Sequence, residues 1–470
     1  MPSQTTARRR KNGHGRREKQ VDAPARRAAR RAAAPEPGPS AGAAGAAAVP
    51  IKVHPRPGLL GSRLLLQQLV LIEVALALVA VGWTVSRMLA AVFAVPAVLL
   101  LVLAVVPVRG RTLPEALRIR AAARARRREA QGYVPPPGTD PGLAPVLELE
   151  PALRTCTHAT ETDVGAGRPI RRETGMIGDG TFLTSLLLVQ AKDQPLRPTR
   201  TALPLPLDVL CSALRVDDIA LESVQLVQHT QPAPAPHLPE QALATRAYQE
   251  LADGLSTPAL RLSWVALKLD PERAGTAVLA RGGGEDGARK ALQRVTDQLA
   301  GRLNGAGFTA TVLDERELIA ALSIATCANP LATAGRQGTG SGGGATRRTQ
   351  ESGRFWRIDD RWHSTYWISR WPQLGRPDGA PGRISAPDLV NLVTGTPALA
   401  STFSLTARPG TGGSVAISGH VRVVGRSESE VGEVGRLLEQ RAQTVGLGLA
   451  RLDLEQAPGV LTTLPLGGTS

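Results

Sequence analysis

The chain opens on small and polar residues, turns apolar near residue 64, and returns to a mixed pattern after residue 108. Residues 64–85 (LLLQQLVLIEVALALVAVGWTV) and 88–108 (MLAAVFAVPAVLLLVLAVVPV) form the two apolar runs. Each is long enough, at about 1.5 Å per residue, to cross a hydrocarbon core of roughly 30 Å. Only Ser86 and Arg87 separate them, so the pattern predicts an antiparallel two-helix transmembrane hairpin over 64–108, kinked at Pro96. Glu73 falls inside the first span. An acid there is costly, which points to packing against another helix in an assembly.

From residue 146 the pattern becomes that of a folded α/β domain. Strands are predicted at 181–190, 221–229, 260–269 and 307–313, and helices at 204–214, 240–252, 286–304 and 314–326, the last capped by Asp314. A Gly-rich stretch, 335–350, reads as a flexible linker dividing a first half, 146–334, from a second, 351–470. The second half predicts strands at 361–370, 399–408, 414–424 and 447–454, with helices at 386–394 and 427–445. Both halves read β-α-β-β-α-β, which suggests two tandem units of split β-α-β type.

Charge changes the picture outside this domain. The formal net charge of +16 sits in two segments. Residues 1–63 carry 14 Lys/Arg against 3 Asp/Glu, and residues 109–128 carry 8 Arg against 1 Glu; residues 129–470 net −2. A folded domain with no basic surplus excludes nucleic acid as its partner. The arginines flank the apolar runs, which places both chain ends in the cytoplasm and the hairpin in the inner membrane. Some 60 residues precede the first run, which argues against a cleavable signal peptide. Residues 1–57 lack the apolar residues needed to fold and read as a disordered basic tail. Residues 109–145 read as a basic interfacial helix followed by a Pro/Gly linker, and the basic tail and helix suit anionic lipid headgroups.

Candidate chemistry is sparse. The cysteines, Cys156, Cys211 and Cys327, form no CxxC, so they read as small buried residues and no metal or other cofactor is expected. No GxxxxGK[ST] occurs. The turns Gly178-Asp179-Gly180 and Gly282-Gly283-Gly284 could approach a phosphate or simply be turns. His229 and His237 border an extended Pro/Ala segment; His229 fits either a hydrogen-bonded structural role or a docking surface. The most distinctive stretch is 355–372, FWRIDDRWHSTYWISRWP, with Trp356, Trp362, Tyr366, Trp367 and Trp371. Alternation puts Trp362, Ser364 and Tyr366 on one strand face and His363, Thr365 and Trp367 on the other. That fits a strand covered on both faces, or an aromatic partner surface. Asp359 and Asp360 precede it, but neighbours on a strand point apart, against a shared metal.

The hairpin and the segments GMIGDGTFLTSLLLVQ, QLVQHTQPAPAPHLP, LSWVALKLDPE, AGFTATVLDERELIAAL and DDRWHSTYWISRWPQL resemble EccE, the membrane component of actinobacterial type VII (ESX) secretion systems, in its longer Streptomyces-type form. The resemblance spans roughly 60–470. It implies a non-enzymatic scaffold assembling with EccB, EccC and EccD, with the mycosin protease attached and EccC as the ATPase. The family's likeness to nucleotide-sugar transferases implies the alternative, a membrane-anchored transferase-like enzyme, but supplies no catalytic residues.

Overall fold

The computed structural model describes residues 51–53, 66–105, 113–162, 170–192, 204–231, 243, 260–338, 347–375 and 383–468, all within the compact unit Val49–Ser470. His237, most of the expected 240–252 helix, and 339–346 of the expected linker lie outside these residues.

Strand β1 (Ile51–Val53) precedes helices α1 (Leu66–Val85), α2 (Arg87–Val105) and α3 (Leu113–Gly132). Helix α4 (Ala144–Leu149) then leads into β2 (Arg154–Thr162), β3 (Ile170–Gly178) and β4 (Leu183–Ala191). Strands β5 (Ser223–Gln231) and β6 (Leu260–Leu269), helix α5 (Gly284–Gly305) and strand β7 (Phe308–Val312) complete the first half, and α6 (Glu315–Ala325) follows. The second half holds β8 (Thr349–Glu351), β9 (Trp356–Ile358), β10 (Arg361–Arg370), α7 (Ala386–Thr394), β11 (Ala400–Pro409), β12 (Val415–Gly425), α8 (Glu428–Thr444), β13 (Gly448–Arg451) and α9 (Gln456–Thr463).

One sheet holds these thirteen strands, with two short two-stranded ladders outside it among the described residues, and every pairing in the sheet is antiparallel except β1 against β12. Within the first half the order is β7-β4-β6-β5, and within the second it is β13-β10-β12-β11. Numbered within each half, both orders are 4-1-3-2, the split β-α-β arrangement that the element order implied. The two second strands, β5 and β11, pair with each other from Val224↔Ala407 to Thr230↔Ser401, joining the units into one sheet.

Both faces of the central strands are buried. Helix α5 presents Ala288, Ala291, Leu292, Val295, Leu299 and Leu303 to Leu187, Val265 and Leu267 on one face. On the same face α8 presents Val431, Val434 and Leu438 to Phe403, Val421 and Val423. The opposite face, with Leu186, Val227, Trp264 and Ala266, is covered by α4, α6 and α9. Truncating a side chain such as Leu292 to Ala would cost about 2–5 kcal/mol. Asp314 caps α6 in a reciprocal capping box with Glu317, as its spacing predicted.

Two boundaries shift, and one expectation is left without support. Residues 51–53 fell in the stretch expected to be disordered, yet they pair with Val415–Ile417 of β12. Helix α4 begins two residues early, at Ala144 within the Pro/Gly linker, and runs on into the buried Val146 and Leu147 of the folded domain. Finally, among the described residues no helix is long and apolar enough to cross a membrane. Helices α1 and α2 do pack along each other as a hairpin.

Candidate functional site

Beneath α6, a polar row crosses four strands. Thr365 on β10 is opposite Arg422 on β12, Arg422 is opposite Thr402 on β11, and Thr402 is opposite His229 on β5. All four are fully buried. His229 Nδ1 is 2.9 Å from Thr402 Oγ1, and its Nε2 is 3.2 Å from Gln231 Nε2. An amide nitrogen only donates, so Nε2 accepts and Nδ1 carries the proton it gives Thr402. Burial and the nearby Arg422 and Arg361 push the His229 imidazole down to about 3. It is neutral at physiological pH, and it reads as a structural histidine. His363, on the same face, is also fully buried and pushed well down by burial and the same arginines. Burial lowers the Arg422 guanidinium only to about 10, so it stays charged.

The aromatic strand divides as its alternation predicted. Tyr366 is buried over α8, and Trp356, on neighbouring β9, is buried against the His363 ring at 4.8 Å. Trp362, Trp367 and Trp371 are half-buried. With Trp356, Tyr366 and His229 in the interior, the seven candidate residues do not form one surface; Glu73 is exposed on α1, apart from them. Asp359 holds Arg348 at 2.7 Å, and Asn329 donates its backbone N–H to Asp359 and its side-chain amide to Asp360, so both acids are engaged within the protein.

The two glycine turns do meet. Gly178, Asp179, Gly180 and Gly284 line an open cavity of about 810 Å³ with Arg154, Cys156, Phe182 and Arg289. Glu285 and Asp286 occupy the first turn of α5, where carboxylates complement the helix dipole and repel a phosphate. Burial pushes the Cys156 thiol up, disfavouring a thiolate nucleophile. Among the described residues no cluster of His, Cys, Asp or Glu converges as a metal cage.

Sequence reasoning missed the anchoring of the C-terminal segment to both units. Thr184 and Ser223 donate to the Leu466 and Gly467 carbonyls, Gln225 Oε1 accepts from Gly467 N–H, and Ser404 donates to Thr462 O. These hydroxyls alternate with apolar residues along predicted strands, and that was the available signal.

The family comparison bears on the middle of this architecture. Residues 257–368 match EccE. The model is described as a putative type VII ESX secretion system translocon component. This is the family that the segment resemblance indicated. The EccE stretch runs from β6 through α5, β7 and α6 into β10, so it includes Trp264, Arg361, His363 and Thr365 around the polar row. It associates the chain with type VII secretion components. A comparison with curated proteins gives no match.

Proposed function

We propose that this chain is a non-enzymatic structural subunit of a type VII secretion complex, held in the inner membrane by α1 and α2 with both chain ends cytoplasmic. The EccE match over 257–368 carries the reading. The hairpin displays Leu76, Trp83, Met88, Val92 and Val95 outward, an apolar surface suited to lipid or neighbouring helices. Both its flanks return to one body: β1 pairs with β12, and α3 is held by Arg126, which donates to Leu454 O at 2.7 Å. That leaves Arg120, Arg124, Arg127 and Arg128 exposed toward anionic headgroups. Its partners are the EccB, EccC and EccD components and the mycosin protease, with EccC supplying the energy.

The test is extraction of membranes in mild detergent with a C-terminal tag, followed by mass spectrometry and particle sizing. A large particle containing a multi-domain ATPase and a many-helix membrane protein is expected. A small particle without them, under extraction that preserves other complexes, overturns the proposal.

A further inference from the structure

Arg422 is a charge without a carboxylate. Its Nη2 donates to the Ala325 carbonyl at the C-terminal end of α6 and lies 3.5 Å from Thr402 Oγ1. Its Nε and Nη1 have no partner among the described residues. The same holds for Oγ1 of Thr365, directly across the strand pair, and for both ring nitrogens of His363 on the same strand face. All three residues are fully buried. Trp356 walls the region through its edge contact with His363.

The surroundings are positive. Arg361 reaches in from the edge, donating to Cys327 O at 3.0 Å and lying 3.2 Å from Cys327 Sγ. Nearby carboxylates are committed elsewhere: Asp359 to buried Arg348 at 2.7 Å, and Asp360 outward, two-thirds exposed and 3.9 Å from Arg361 Nε. A buried charge left unpaired costs several kcal/mol. The helix end at Ala325 offers roughly half a negative charge, which offsets only part of that. A neutral water would satisfy hydrogen bonds but not the remaining charge. The unpartnered groups on Arg422 are donors, Thr365 can donate, and a neutral imidazole supplies one more.

We infer that the interior of the joined sheet binds a small monovalent anion of halide type, held by Arg422, His363 and Thr365. The anion completes the charge balance of the polar row and thereby stabilises the union of the two units. This site is independent of any role in secretion.

The test uses the full chain in detergent, with chloride exchanged for gluconate at constant sodium and ionic strength. Thermal unfolding should rise with the logarithm of chloride once chloride exceeds Kd, by about 2 °C at ten times Kd. The rise should be lost in Thr365→Val combined with His363→Phe, which keeps Arg422. Chloride dependence equal in the native chain and the double variant would mean surface binding only, and overturns the inference; so does the absence of any chloride effect. Should the double variant not fold, crystals grown in bromide decide. An anomalous peak within hydrogen-bonding distance of Arg422 Nη1 supports the site, and bromide found only elsewhere overturns it.

Discussion

Thr402 and His229 face each other across the strand pairing that joins the two units, and the histidine Nδ1 is 2.9 Å from the threonine hydroxyl. Thr402→Val keeps the shape and deletes the acceptor, leaving a buried N–H unpaired at a cost of about 1–3 kcal/mol. Thr402→Ser restores the oxygen and should recover most of that. Urea unfolding of the two variants measures the difference.

Acid should weaken the same region. His229 is neutral in the folded chain down to about 3, and His363 is also pushed well down. Both titrate near 6.5 when unfolded. Above that pH neither state takes up protons and stability is fully present. As pH falls below it the unfolded chain binds protons first, and stability falls by up to about 1.4 kcal/mol per pH unit for each histidine. Melting temperatures between pH 7.5 and 5 should therefore decline, and less steeply in His363→Phe. An unchanged slope in that variant would show His363 protonates freely when folded.

Asp359 and Arg348 form a pair with side chains 9% and 1% exposed. Asp359→Asn leaves the arginine charge buried and should cost about 3–5 kcal/mol. Arg348 also donates its backbone N–H to Glu148 of α4, so the loss should appear as faster hydrogen exchange in 144–149 as well as lower stability.

Glu351 pairs with Arg126 of α3 and accepts from Ala457 N–H at the start of α9. Glu351→Ala should release both contacts. Proteolysis near 133–143 and hydrogen exchange along 113–132 should quicken while the sheet strands remain protected. If α3 stays as protected as in the native chain, the bonds from Arg126 to Leu454 O and from Arg347 to Ala130 O, both untouched by the substitution, are sufficient to hold it.

Gly435 of α8 lies against the Tyr366 hydroxyl, where an added Cβ would overlap it. Gly435→Ala should destabilise the chain by about 1–3 kcal/mol through overpacking. Gly432→Ala, on the same helix with open space at its Cβ, should not, and calorimetry of the pair separates packing from helix propensity.

Strands with alternating apolar residues, such as Leu260–Leu269, and helices with an apolar stripe and a cap, such as Glu315–Ala325, were legible because local pattern and burial agree there. Strands β2 and β3 were not: RTCTHATET and IRRETGMIG carry polar residues on most positions, and only tertiary pairing makes them strands. The internal repeat was legible as element order, but the pairing of β5 with β11 was not, since no local signal names an edge partner. For His229 the sequence left a structural role and a docking surface both open, because its neighbours across the sheet are set by tertiary pairing. Its companion Arg422 was hidden, because an arginine in a strand ordinarily faces solvent.

A lone unit of this kind would end on a bare second strand, an open template for any other copy. Here the two templates belong to one chain, so the pairing of β5 with β11 is set by an effective concentration fixed by the connecting residues rather than by protein abundance. What would otherwise be a dimer, dissolving on dilution, closes as an intramolecular step. Such a body keeps its full sheet however few copies are made.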